Sequence, residues 1–417
     1  IRVVGTLGPD ALAAVGAGQR VFFLMQALMM ALSIGTTALV ARAWGAGDNN
    51  EASRVTVASL VLASGLALPV ALVGFLFAST LAGAFGLNAE AQALATSNIR
   101  WLSVFTLAYA VTAILAAALR ATGDAWTPLW IAGAINLINI PLLYLLVFGY
   151  LGLPALGVVG VAVASGLAFT IGGLLFLALW LGKKVRLTGS IQGWWQRERL
   201  RRLVDIGYPA AVEQFVIQTG FIVFLMLIGN FYGTEAFAAY NVGVNILLVA
   251  ITIGFGFSVA GSTLVGQHLG AGDPDGAARS GWRCMALAIL AMACAGLLVM
   301  FFARELVLFF IDDPVTGDLA VQFIYLLGAM MPFMAVDFSI AGCLRGAGDT
   351  RFPLIATMFS LIGVRCGLAA VATWMELPVV WVYAALMGDY LVKASMLAWR
   401  FKQGRWKTVV KFAAHQG

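Results

Sequence analysis

LRATGDAWTPL, at Leu119–Leu129, returns 225 residues later as LRGAGDTRFPL, at Leu344–Leu354. The same interval separates LVARAWGAGD (Leu39–Asp48) from LVGQHLGAGD (Leu264–Asp273), and GPDALAAV, which starts at Gly8, from GTEAFAAY, which starts at Gly233. Three anchors that share one interval without a gap imply two homologous halves in parallel orientation, each expected to hold six helices. In this register Ile1 aligns with Met226, inside an apolar run. The counterpart of Leu203–Leu225 is therefore expected upstream of Ile1, with the first helix largely missing from this chain.

Composition fixes the solvent of these halves. Hydrophobic residues make up 62% of the 417, charged residues 11%, and the mean hydropathy is +0.95; a soluble domain carries about a quarter charged residues. A helix needs about 20 apolar residues to cross the hydrocarbon. Windows of that size predict spans over Ala11–Trp44, Val55–Ser79, Arg100–Leu119, Trp126–Tyr150, Leu156–Leu181, Leu203–Tyr232, Ala236–Leu269, Cys284–Ala303, Ala320–Leu344, Phe352–Trp374 and Val379–Phe401. The expected fold is an all-α integral membrane protein of twelve helices in two lobes. The N-terminal lobe takes residues 1–182, a linker 183–202, the C-terminal lobe 203–403 and a tail 404–417.

The charges are placed by side. If the first complete span runs inward, 20 of the 25 Lys and Arg fall in loops on the inner side or near it, all but Arg2, Arg20, Arg100, Arg304 and Arg365. The opposite loops carry Asp10, Glu90, Glu235, Asp312, Asp313, Asp318 and Glu376. This positive-inside pattern predicts a multi-pass inner-membrane protein with its linker and C-terminus in the cytoplasm. It accounts for the net charge of +6 without a nucleic-acid partner. Anionic lipid suffices. The four cysteines show no CxxC spacing and read as small buried hydrophobes. With only His268 and His415, no metal site is expected.

The repeated turns have a structural reading. Gly47 and Gly272 take positive φ after a helix end, and Asp48, Asp124, Asp273 and Asp349 accept backbone N–H bonds at the next helix start. Arg120 and Arg345 cap the preceding helices or meet headgroups. No Lys-Ser/Thr follows these glycines, so a phosphate loop is excluded.

Ionisable residues inside spans are costly and usually face a cavity or a partner. Glu213 lies roughly 16 Å along its helix from Arg202, Asp337 roughly 12 Å from Arg345, and Arg365 roughly 18 Å beyond Pro353. These three are candidates for ion coupling or substrate binding, with a structural ion-pair network as the alternative. The first-half positions matching Asp337 and Arg365 are Thr112 and Ile140, so the charge is asymmetric. Gln214, Gln218, Asn241 and Asn245 surround the candidates, and Pro209 is expected to kink their helix. Asn136, Asn139 and Gln26 are first-half candidates, with helix-to-helix hydrogen bonding as the alternative for every amide. Arg20 either snorkels outward or reaches a cavity. Asp389 and Lys393 read as a local i,i+4 pair.

LVARAWGAGD, LRATGDAWTP, GFGFSVAGSTLVGQHLGAGD (Gly254–Asp273) and LRGAGDTRFP resemble the multidrug and toxic-compound extrusion (MATE) transporters over essentially the whole chain. The resemblance implies a twelve-helix, two-lobed secondary exporter. Such proteins exchange small organic, often cationic, compounds for protons or sodium ions by alternating access. It implies no cofactor beyond the transported ion, no enzymatic activity and, for this chain, an expected monomer. Members often carry essential carboxylates in the first, seventh and tenth helices. Glu213 and Asp337 fall in the seventh and tenth, each about one turn from the position of the best-known bacterial branch. A fifth-helix Asp found in another branch is Ile140 here. The alternative within this architecture is a flippase for a lipid-linked precursor.

Overall fold

The computed structural model describes residues 2–152, 154–308 and 313–409. Asp312, His415 and most of the 404–417 tail lie outside them, as does Ile1. Among the described residues every regular element is helical. The chain divides into two compact units, Ile1–Gly207 and Tyr208–Gly417.

The first unit contains α1 (Pro9–Gly45), α2 (Asn49–Leu76), α3 (Ala89–Val104), α4 (Thr106–Ala121), α5 (Trp126–Phe148) and α6 (Gly157–Leu181). Helices α3 and α4 form one apolar span bent by 47° at Phe105. Side chains cap the starts of α2 and α3. Asp48 accepts from the Glu51 amide at 2.8 Å, and Asn88 from the Ala91 amide at 2.8 Å. Ala14, Val21 and Phe22 of α1 pack with Ile99 and Leu102 of α3 and Val158 of α6. Arg20 is exposed.

The linker follows as a strap. Ser190 donates its amide to Asn50 Oδ1 at 2.7 Å, and Arg54 Nε donates to the Gln192 carbonyl at 2.7 Å. Helix α7 (Arg197–Gly233) then begins with its first turns inside the first unit. Arg199 is buried there, and its guanidinium forks onto both carboxylate oxygens of Glu51 at 2.8 and 2.6 Å.

The second unit continues with α8 (Glu235–Gly270), α9 (Pro274–Phe301), α10 (Pro314–Gly346), α11 (Arg351–Trp374) and α12 (Val379–Gln403). Its core joins Phe224 and Ile228 of α7, Tyr240 of α8, Met292 of α9, Phe323, Leu327 and Met331 of α10, and Tyr383 of α12. Tyr383 donates its hydroxyl to the Ala236 carbonyl at 2.7 Å, which satisfies a polar group in an apolar core. Close approach is visible between α8 and α10. A Cβ built on Gly342 would sit 2.2 Å from the Ser258 carbonyl oxygen, and one on Gly346 would sit 2.1 Å from that of Ser262. These paired small residues let two backbones touch.

The repeat is written into the backbone. The starts of α2 and α9, and also their ends, lie 225 residues apart, as do the short helices Ala78–Gly83 and Ala303–Leu308. Gly8 and Gly233 share positive φ (104° and 81°), as do Gly47 and Gly272 (76° and 75°) and Gly123 and Gly348 (84° and 87°). Only glycine adopts these conformations without strain, so the matched glycines are required. Gly233 is also the non-helical residue between α7 and α8. Helix α7 continues through Pro209 with no non-helical dihedrals there. Among the described residues only the end of α7 has a repeat partner, the short helix Arg2–Gly5, which matches residues 227–230.

All eleven expected spans are helical. Among the described residues nine helices are long and apolar enough to cross a membrane, or ten with the bent pair counted as one. Helix α12 is the remaining span, diluted by Asp389, Lys393 and the basic residues of its last turn. Large apolar side chains such as Leu72, Trp130, Leu137 and Leu297 are 58–72% exposed. A soluble protein does not carry apolar exposure on this scale; hydrocarbon is the solvent that matches it.

Candidate functional site: a buried charge network in the second unit

Four helices of the second unit each send ionisable side chains inward. Glu213 lies on α7 and is 2% exposed. Arg345, in the last turn of α10, donates from Nη2 to both its carboxylate oxygens at 2.8 and 2.9 Å. Thr357 of α11 donates its hydroxyl to Oε1 at 2.9 Å. Asp337, eight residues before Arg345 on α10, meets Lys393 Nζ of α12 at 3.1 Å. Arg365 of α11 pairs with Asp389 of α12. Its guanidinium also lies 5.9 Å from the Phe224 ring centre and 5.6 Å from that of Tyr390, within cation–π range.

These contacts close a ring. Helix α7 is tied to α10 and α11 through Glu213, α10 to α12 through Asp337, and α11 to α12 through Arg365. Three carboxylates face three cations, so the network is formally neutral. Lys393 is also within electrostatic reach of Glu213 and Asp389, so the pairs are not independent. Arg365 lies near the end of a π-helical stretch, Phe359–Cys366, whereas the matching segment of α5 is α-helical. Wider turns of this kind are frequent at functional sites.

The structure therefore redistributes the expected partners. Glu213, Asp337 and Arg365 do share one buried network, but Arg365 does not touch Glu213. Arg345 does, instead of capping its helix or reaching a headgroup. Asp389 and Lys393 are not a local pair, since each reaches across to a neighbouring helix. Arg345 and Lys393 thus leave the set of loop charges. Thr357 completes the site without a signal in the sequence, since a hydroxyl in an apolar span gives no warning.

The remaining candidates separate. Asn136, Asn241 and Asn245 donate to carbonyls four residues earlier in their own helices, at 3.0, 2.9 and 2.9 Å. Asn139 reaches Ser165 at 3.4 Å. Gln26, Gln214 and Gln218 are partly buried. Thr112, the first-half match of Asp337, bonds within its own unit to the Ala108 carbonyl at 2.9 Å.

The turns behave as expected at three of four positions. Asp48, Asp124 and Asp273 accept from the amides of Glu51, Thr127 and Gly276. Asp349 departs from this pattern, because its Oδ2 accepts from Arg400 Nε of α12 at 2.9 Å. Arg120, the repeat match of Arg345, lies within electrostatic reach of Tyr109. No group of three His, Cys, Asp or Glu arranged to hold a metal occurs among the described residues.

A family model described as MatE matches residues 1–145 and 209–371. The multidrug resistance protein NorM of Burkholderia vietnamiensis is 30% identical over 425 aligned residues, covering 96% of this chain and 87% of that protein. A probable multidrug resistance protein NorM of Thermotoga maritima is 29% identical over 408, covering 95% and 86%. Among solved structures, a MOP superfamily transporter from Pyrococcus furiosus superposes with a TM-score of 0.90 at 22% identity, covering 97% of this chain and 90% of that one. An outward-facing multidrug resistance MATE family transporter gives 0.88 at 22%, with the same coverage. The structural matches establish the fold. With the family model spanning well over half of the sequence, this chain belongs to the MATE family of membrane transporters.

Proposed function

We propose that this protein is a secondary exporter of small organic, mainly cationic, compounds, driven by inward flow of protons or sodium ions through alternating access. The observation that carries this reading is the buried, formally neutral network around Glu213. A charge inside a membrane helix costs at least ~2.5–3.5 kcal/mol, and six together are retained where they do work or hold helices. Four of the six have no counterpart in the first half, where Thr112, Ile140, Ala164 and Ala168 match Asp337, Arg365, Asp389 and Lys393, and this asymmetry speaks against a purely architectural device.

Coupling follows from the pairing. Glu213 binds an incoming cation only as Arg345 yields, and that exchange alters the tie between α7 and α10. An ion taken up from outside and a cationic substrate from inside then compete for one carboxylate. Each ligand biases the two states only by its differential affinity for them. The names of the NorM relatives support multidrug substrates. A lipid-linked precursor would call for surplus positive charge, and three acids offset the three bases here. The basic linker and the Arg-rich turns are assigned to the cytoplasmic side of the inner membrane. No catalytic chemistry and no resident cofactor are assigned.

The test is transport in liposomes. Protein reconstituted with proton or sodium gradients is expected to move a fluorescent organic cation, and Glu213→Gln to abolish gradient-driven movement. Export, coupling and pH dependence all unchanged in that variant would sink the proposal.

A further inference from the structure

We infer that Lys393 is the residue that sets ion choice, its ammonium occupying the cation seat at Asp337 so that the transporter couples to protons and not to sodium. The inference rests on the exporter reading above and narrows it. Lys393 Nζ stands 3.1 Å from Asp337 Oδ2, with the two side chains 11% and 8% exposed. A hard cation is held by about six oxygen donors. At Asp337 the incoming ion meets a tethered cation already in contact with the carboxylate. The same holds at Glu213, where Arg345 engages both oxygens and Thr357 donates to one. The third carboxylate, Asp389, is held by Arg365.

A proton needs no coordination shell. It can sit on one carboxylate oxygen while the other keeps its hydrogen bond, so protonation weakens a pair without inserting an ion between its members. The groups facing this seat are Glu213 from α7, Arg345 from α10, and Asp389 and Tyr390 beside Lys393 on α12. Helix α11 contributes Thr357 at Glu213 and Arg365 at Asp389. Tyr240 of α8 faces Arg365. Every acid in this set has a basic partner; no carboxylate is left over for a metal ion. Removing the Lys393 ammonium leaves Asp337 as an uncompensated buried charge, a strong inducement to take up a monovalent ion.

Ligand that binds only the folded state raises its stability. Thermal unfolding of the full chain in detergent, titrated with NaCl against KCl at constant ionic strength, reads sodium binding without requiring transport. The wild type is expected to show no sodium-specific rise in Tm. Lys393→Gln and Lys393→Met, two neutral replacements of similar length, are expected to gain a saturable sodium-specific rise, lost again when Asp337→Asn is added. A saturable sodium response in the wild type overturns the inference. So does a folded neutral variant that stays indifferent to sodium. Should both neutral variants fail to fold, the wild-type titration and an inward sodium gradient at equal pH still decide, and substrate movement driven by that gradient overturns it. Absence of transport under any gradient counts instead against the exporter reading, and the sodium titration is read regardless.

Discussion

Glu213 and Arg345, 132 residues apart in sequence, meet at 2.8 Å inside the second unit, with Thr357 as a further donor to the carboxylate. Breaking a buried pair by deleting one member leaves the other charged and unsolvated, at a cost of about 3–5 kcal/mol. Arg345→Ala is therefore expected to lower Tm strongly. Adding Glu213→Gln should restore most of the loss, because a neutral amide tolerates burial. Thermal unfolding of the two single variants and the double variant checks this. A double variant as unstable as Arg345→Ala alone would mean that Arg345 acts through some other contact.

Thr357 offers a milder probe of the same carboxylate. Thr357→Val keeps the volume and removes one hydrogen bond to a charged acceptor, a loss of about 1.5–3 kcal/mol. The expected Tm drop is smaller than for Arg345→Ala, with the helix content by circular dichroism unchanged. A neutral result would show that the hydroxyl is not bonded to Glu213 in the membrane.

The α8–α10 crossing gives a prediction that the protein itself controls. Gly342 and Gly346 correspond to Ala117 and Ala121 in the first half, yet a methyl at either glycine would overlap a Ser258 or Ser262 carbonyl. Gly342→Ala and Gly346→Ala import the residues of the other repeat and should nevertheless destabilise by about 1–3 kcal/mol each, as overpacking does. Placing glycine at Ala117 should cost less than this, about 1 kcal/mol for a helix interior. Parallel thermal scans of the three variants decide.

The helices and the repeat were legible in the sequence because apolar length and a fixed interval are local signals. Side-chain partners were not. An i,i+4 spacing made Asp389 and Lys393 look self-sufficient, but tertiary packing turned each toward a different helix. Arg345 recurs as Arg120, and recurrence read as a turn device hid its role at Glu213. The four Gly-Asp turns show the same limit in miniature. Asp124 finds the Thr127 hydroxyl three residues on, at 2.7 Å. Asp349 has Phe352 at that position, and Arg400 on α12, matched by Leu175 in the first half, takes the carboxylate instead. Identical turns thus acquire different bonds from neighbours that no local motif records.

Outside the spans, Asp313 supplies a pH test. Its carboxylate caps α10, accepting from the Thr316 hydroxyl at 2.6 Å and the Thr316 amide at 2.8 Å, and these bonds hold it below the usual carboxylate range. A lowered folded-state value contributes stability above the ordinary aspartate pKa of about 3.9 and loses it as pH falls through the folded value. Amide exchange in the first turn of α10, corrected for intrinsic rates, should accelerate below about pH 4 in the wild type. In Asp313→Ala it should be fast at neutral pH and show no such step. A step that persists in the variant would assign it to another group.

Arg199 fixes the linker to the first unit with every donor edge engaged. Beyond the fork onto Glu51, its Nη1 donates to the carbonyls of Gly193 and Trp194 at 3.1 and 2.5 Å. A planar fork of this kind has no equivalent in lysine. Arg199→Lys and Arg199→Ala are therefore both expected to release the strap, freeing the backbone at the already exposed Lys183, Lys184 and Arg186 for cleavage by trypsin. The helices of the second unit make no use of this bond, so their stability should change little. The check is limited proteolysis followed by thermal unfolding of the same samples. Fast cleavage within 183–197 with a nearly unchanged main transition is the expected outcome. Resistance equal to wild type in both variants would show that Ser190 and Arg54 hold the strap without Arg199. A collapse of the main transition would show instead that the Glu51 pair is integral to the first unit as a whole.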